Sequence, residues 1–356
     1  MDHEDRPGIH TRTAMGEERP WERSYPPGVR WDAPLEISTL PAMLDVFTAR
    51  WGPKPALEYR GRTVSYAELR AAVDSLASGF LDLGVRPGTA VALYLPNTPY
   101  HPIAFFAVLR CGGRVVPLSP LDAERELALK LRDSGARILV TTNVGGLLPM
   151  ARKLKAGGFV DRLIVGDDRA FGPSALPTTP IAGDADSIGF ETLSEAGAGK
   201  LPRRWPELSV EDIALLQYTG GTTGRPKGTI LTHANLSAAS AMYKAWSEPQ
   251  GLSRPGEERV ICVLPLFHMY ALSAVMLRCL CEGHELMLRP RFDVETTLDD
   301  IEVKRATMFP GVPTMWIALA NAPGIETRDL SSLRRVSSGG APLPVEVADQ
   351  FERLTG

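Results

Sequence analysis

Between about residues 40 and 165, apolar positions switch between two periods. Leu69, Ala72, Val73, Leu76 and Phe80 share one helical face, closed by Gly84. Residues 56–59 and 63–66, with Gly61-Arg62 between them, read as a hairpin. Residues 90–95 form a strand ending at Pro96-Asn97. Strands follow at 114–118, 137–141 and 163–165, and helices at 102–110 and 127–132. This rhythm predicts an α/β fold. Residues 166–206 break it, being rich in Gly, Pro, Ala and Ser, and read as a long surface connection between two subdomains.

The pattern resumes with an apolar strand at 213–218 and a returning strand at 228–231. A helix opens at His233-Ala234-Asn235, with Asn235 as its cap. Strands are expected at 260–264, 285–288, 307–309 and 333–337. Helices are expected at 271–281, up to 300–304, and at 313–320. A last helix sets Val347, Phe351 and Leu354 on one face. Residues 1–34, rich in Pro, Arg, Glu and Gly, predict a poorly ordered arm or a surface strap. The expected division is an arm (1–34), a first α/β subdomain (35–165), a connection (166–206) and a second α/β subdomain (207–356).

Composition narrows the function classes. The chain has 356 residues, enough for about two domains. It is 44% hydrophobic and 23% charged, an ordinary globular balance. A net charge of −3 gives no sign of nucleic-acid binding. Cys111, Cys262, Cys279 and Cys281 form no CxxC pair and sit in apolar runs, so buried free thiols and a cytoplasmic location are expected. No apolar run approaches the roughly 18 residues of a membrane span. Residues 1–18 carry no signal-peptide core.

The chemistry concentrates at residues 218–228, Tyr-Thr-Gly-Gly-Thr-Thr-Gly-Arg-Pro-Lys-Gly. Gly220, Gly221 and Gly224 let backbone N–H groups turn toward an anion. Thr219, Thr222 and Thr223 add hydroxyl donors, and Lys227 adds a flexible cation. Such a loop suits a polyphosphate. It is not a P-loop, which needs Ser or Thr directly after the Lys and a helix beginning there. Here Lys227 lies between Pro226 and Gly228, and a strand-like Thr-Ile-Leu-Thr follows.

The stretch resembles the signature of the adenylate-forming enzymes, which include acyl-CoA synthetases, peptide-synthetase adenylation domains and luciferases. Further segments resemble the same family in the same order. They are 95–120 with Asn97, Gly112-Gly113 and Pro117; Phe267-His268-Met269-Tyr270; Gly311-Val312-Pro313-Thr314-Met315; and 337–344, containing Ser-Gly-Gly-Ala-Pro-Leu. A weaker likeness joins Arg19-Pro20-Trp21 and Tyr25-Pro26-Pro27-Gly28-Val29 to the strap of long-chain fatty acyl-CoA ligases.

The resemblance implies the large N-terminal domain of these enzymes, with two α/β subdomains of mixed sheets flanked by helices. It implies ATP phosphate contacts from Thr219, Gly220, Gly221, Thr222, Thr223, Gly224 and Lys227. An acyl and adenylate pocket would involve His268, Gly311, Val312, Gly339, Gly340, Ala341 and Pro342. On position alone, His268 reads as a hydrogen-bonded core histidine. His101, His233 and His284 show no ligand spacing, and no metal cluster is visible. Trp316 and Met315 read as core.

The implied activity is an ATP-dependent acyl-CoA ligase for a medium- or long-chain fatty acid, with ATP, Mg²⁺ and coenzyme A. An aryl acid of the coumarate or benzoate type is the alternative substrate, and a non-catalytic nucleotide-binding remnant the alternative class. Weak peripheral contact with a membrane and an oligomeric state stay open; no strongly basic amphipathic helix supports the former. The family's Tyr-Gly-x-Thr-Glu motif, with its Mg²⁺-binding Glu, its ribose aspartate and its lid domain with the adenylating lysine would follow Gly356. The catalytic groups are therefore unassigned, and the C-terminal lid domain is expected to be absent. The 356-residue chain alone is then expected to give little acyl-CoA; a strong ATP–pyrophosphate exchange signal from it would overturn that expectation.

Overall fold

The computed structural model describes residues 20–174, 176–181, 187–200, 204–219 and 226–355. After a 3-10 turn at Pro20–Ser24 comes α1 (Leu40–Trp51), then the hairpin β1 (Pro55–Tyr59) and β2 (Arg62–Ser65). There follow α2 (Tyr66–Asp82), β3 (Ala90–Tyr94), α3 (Tyr100–Arg110), β4 (Arg114–Pro117), α4 (Glu124–Ser134), β5 (Ile138–Thr142), α5 (Leu147–Ala156) and β6 (Arg162–Gly166). Next are β7 (Ser187–Gly189), α6 (Phe190–Ala198), β8 (Ile213–Thr219), β9 (Lys227–Thr232), α7 (His233–Ser247) and β10 (Arg259–Cys262). A π-helix at Tyr270–Leu277 runs into α8 (Arg278–Cys281). The remainder is β11 (Glu285–Leu288), α9 (Val294–Glu302), β12 (Met308–Gly311), α10 (Pro313–Ala320), β13 (Arg335–Ser338) and α11 (Val345–Thr355).

The strands form two mixed sheets. One has the order β7-β6-β5-β3-β4-β8-β9 and the other β13-β12-β10-β11-β1-β2. Each is parallel except for one hairpin at an edge, β8–β9 or β1–β2. Parallel strands need cover on both faces, and the period-2 alternation shows how they obtain it. In β3, Val91 and Leu93 join the central core, while Ala90, Ala92 and Tyr94 pack with α4 and α5. In β10, Val260 and Cys262 face the same central core, while Ile261 packs with α9, α10 and α11. Helices α1, α2, α3 and α6 and the π-helix thus lie between the sheets and serve both. All eleven residues of α3 are buried.

This arrangement corrects the expected division of the chain. Among the described residues, the 166–206 stretch is more than a surface connection: β7 extends the first sheet beside β6, and α6 packs on α2. Its glycines have a packing role. A Cβ on Gly197 would run into the Ser75 carbonyl, and one on Gly79 would meet Leu193, so the two helices approach as closely as they do only without side chains there. Nor do the sheets follow the sequence halves. The β8–β9 hairpin, expected in the second subdomain, edges the first sheet, and β1 pairs with β11 through Leu57 and Leu286. At α7 the cap is Thr232, with Asn235 three residues on completing a capping box. The 20–38 segment meets α7: Tyr25 packs edge-on against Trp246 at 5.4 Å, and the Ser38 N–H donates to Ser237 Oγ.

The four cysteines are free, three of them buried. His101 is buried within α3, and burial pushes its imidazole down to about 4. At the end of β11, Arg289 donates to both Asp300 oxygens at 2.7 Å and pairs with Glu58 at 2.7 Å, joining β1 to α9.

Glu282, after α8, accepts from the Ser253 hydroxyl and pairs with Arg278 and His284, both at 3.1 Å. Burial pushes its carboxyl up, but the His284 hydrogen bond, the Arg278 charge and Ser253 outweigh burial and hold it at about 2. A carboxyl depressed on folding stabilises above its unfolded value, and that contribution is lost as pH falls through the folded value. Stability on the order of 3 kcal/mol should therefore drain between about pH 5 and pH 2. Denaturant melts across that range should show the slope in the wild type and a weakened one in Glu282→Gln.

Candidate adenylation site

The β8–β9 hairpin ends with Thr219 opposite Lys227, both exposed. Of the expected phosphate contacts, Gly220, Gly221, Thr222, Thr223 and Gly224 lie outside the described residues. The base of the hairpin is held firmly. Tyr218 is buried, and its hydroxyl donates to Asp133 Oδ2 of α4 at 2.6 Å. Burial and this carboxylate push the phenol well above its usual value. Across the hairpin sits Gly228, where a Cβ would meet the Tyr218 ring at 3.2 Å. The aromatic ring thus occupies the space a side chain would take.

The second cluster forms at the carboxyl ends of β10, β12 and β13, where ligands of parallel α/β sheets bind. His268 is exposed, not the packed core histidine its position suggests; its Nδ1 accepts the Tyr270 N–H at 3.2 Å. Tyr270 opens the π-helix and lays its ring on Gly339, where a Cβ would lie 2.9 Å from the ring edge. Its hydroxyl is 3.5 Å from Ser337 Oγ. Gly311 ends β12 in register with Ser338, and its carbonyl accepts the Gly339 N–H at 3.2 Å. The Trp316 indole covers Gly311, confirming a packed place for Trp316, which is 3% exposed. A Cβ on Gly340 would lie 3.7 Å from Val312. The structure therefore brings Tyr270, Gly311, Val312, Ser337, Gly339 and Gly340 together. Ala341 and Pro342 follow on the exposed turn before α11.

The two clusters are joined through Gln217 of β8, whose Nε2 donates to the Phe267 carbonyl at 3.3 Å. Sequence reasoning passed over Gln217, since a lone amide in an apolar strand carries no motif. Among the described residues no group of three or more His, Cys, Asp or Glu side chains is arranged to hold a metal ion.

The family model of the AMP-binding enzymes matches residues 44–356. The chain belongs to the AMP-binding enzyme family. Among curated relatives, a long-chain-fatty-acid–CoA ligase of Bacillus subtilis is 35% identical, covering 96% of this chain and 62% of its own length. A 4-coumarate–CoA ligase of Arabidopsis thaliana is 32% identical, over 81% of this chain and 49% of its own. Among solved structures, a long-chain-fatty-acid-CoA ligase from Archaeoglobus fulgidus superposes with a TM-score of 0.77 at 24% identity, covering 93% of this chain and 63% of that one. The fold is that of the N-terminal domain of adenylate-forming enzymes. The chain spans less than two thirds of the length of these relatives.

Gly339→Ala tests the second cluster, because the added methyl must displace the Tyr270 ring. On the reading proposed below, in which this cluster borders the acid, KM for the acid should rise roughly tenfold, the equivalent of about 1.4 kcal/mol, with KM for ATP little changed. Equal effects on both substrates would dissociate Tyr270 from the acid.

Proposed function

We propose that this chain carries the nucleotide grip and the acid pocket of an AMP-forming acyl-CoA ligase acting on medium- or long-chain fatty acids. The observation that supports it best is the hairpin: a threonine and a lysine on its last rung, a base fixed to α4, and an amide link to the His268 segment. The Bacillus relative, named as a long-chain-fatty-acid–CoA ligase, supports the fatty over the aryl reading.

Forming a thioester from a carboxylate and a thiol is uphill in water, so the acid is activated first. A carboxylate oxygen attacks the α-phosphorus of ATP, the bond to the β-phosphate breaks, and pyrophosphate leaves with that electron pair. The coenzyme A thiolate then attacks the acyl carbon, and the carbon–oxygen bond to AMP breaks. Thr219, Gly220, Gly221, Thr222, Thr223, Gly224 and Lys227 hold the β- and γ-phosphates and the departing pyrophosphate. His268, Gly311, Val312, Gly339, Gly340, Ala341 and Pro342 border the acyl and adenylate groups. Such transfers depend on alignment and charge neutralisation, which backbone donors and a cation supply.

The deciding experiment is pyrophosphate release across a panel of fatty and aryl acids, using a polypeptide of the relatives' full length. Fastest release with fatty acids supports the reading; preference for coumarate or benzoate moves it to the aryl class, and silence with every acid rejects it. Within that assay, Lys227→Ala should raise KM for ATP by roughly tenfold or more while KM for the acid stays within about twofold. Unaltered ATP kinetics would remove Lys227 from the phosphate site.

A further inference from the structure

Where β10 ends, the chain faces a hydrogen-bonding problem. The β10 ladder with β11 runs to Cys262, yet Val263, Leu264 and Leu266 beyond it are still buried. Pro265 interrupts the segment and has no N–H. Buried backbone groups without partners are costly. The partner comes from the other sheet. Asn97, just past β3, is 3% exposed. Its Nδ2 donates to the carbonyls of Cys262 at 3.0 Å and Leu264 at 2.8 Å, and its Oδ1 accepts the Leu266 N–H at 2.9 Å. A carboxamide carries the donors and acceptor of a peptide group, so one side chain satisfies the Leu264 carbonyl and the Leu266 N–H and adds a second donor to the Cys262 carbonyl, which also accepts the Arg289 N–H.

The segment held this way leads directly into Phe267, His268, Met269 and Tyr270. Its far end is tied by Gln217, two residues before Thr219 on the strand that feeds the phosphate loop. Both ties run from the seven-stranded sheet to the same segment of the other sheet. One fixes it from β3 and the other from β8.

We propose that Asn97 is a positioning residue: it sets the Phe267–Tyr270 segment, and through it His268 and Tyr270, at a fixed place relative to the phosphate hairpin, with Gln217 steadying the far end. This rests on the adenylation reading above. Asn97 touches no reacting atom; it acts through the backbone it holds. Its loss leaves each binding element intact and misaligns them, which lowers turnover more than affinity.

Two measurements test it. In the 356-residue chain, amide hydrogen exchange of Asn97→Ala should speed up at residues 264–270 by roughly tenfold to a hundredfold, while β4 and β5 keep wild-type rates. In the pyrophosphate assay with the longer polypeptide, kcat should fall at least about tenfold, with KM for ATP within about twofold per folded molecule. Wild-type exchange at 264–270, or a kcat loss no larger than the loss of folded protein, overturns the proposal. Should Asn97→Ala not fold, Gln217→Leu at a half-buried position gives the same readings at residues 267–270, and wild-type exchange and turnover there overturn it. A wild type inactive toward every acid defeats the activity reading, and hydrogen exchange alone then decides whether Asn97 holds the segment.

Discussion

A mostly parallel sheet has to be covered on both faces, and this chain holds two of them. It meets the constraint by letting both sheets share one layer of helices, α1, α2, α3 and α6 with the π-helix. Sharing a layer goes with a chain that crosses between sheets twice: β1 and β2 belong to the second sheet, β3 to β9 build the first, and β10 to β13 complete the second. Segments far apart in sequence are thereby brought level at their strand ends. Gln217 meets Phe267, and Tyr270 meets Ser337 and Gly339, through side-chain contacts instead of ladders.

Much of the local structure was legible. Pro313 opens α10, where a proline suits the first helical turn, and the apolar run from Ile213 gave β8. The arrangement of strands was not legible, because β1 finds β11 across more than two hundred residues and no local period encodes that pairing. Residues 166–206 misled for a sharper reason. Their glycine content reads as loop, yet Gly197 serves the α2–α6 contact, and β7 has only three residues with Ile188 as its sole bulky apolar one. Composition cannot separate a glycine that turns from a glycine that packs.

The site divides in the same way. The residues with motif character, Thr219, Lys227, His268, Gly311 and Gly339, were visible because their chemistry is unusual for core. Asn97 stood out only as part of a family-like segment with no role attached, and Gln217 not at all, since their value lies in the backbone groups they reach. His268 shows the limit of position-based reasoning: flanked by Phe267 and Tyr270 it looks interior, but the turn at Pro265 delivers it to the surface.

Tyr270 owes its aim to an unusual winding. It opens eight residues of π-helix, whose hydrogen bonds span one residue more than α-helical ones. Each α-helical residue advances the helix by about 100°. Tightening this segment to α-helical pitch would swing the phenol off Gly339 without changing any atom of either residue. The number of residues between the β10 exit and α8 therefore sets where Tyr270 meets Gly339, and an insertion or deletion there would shift that contact with both residues unchanged.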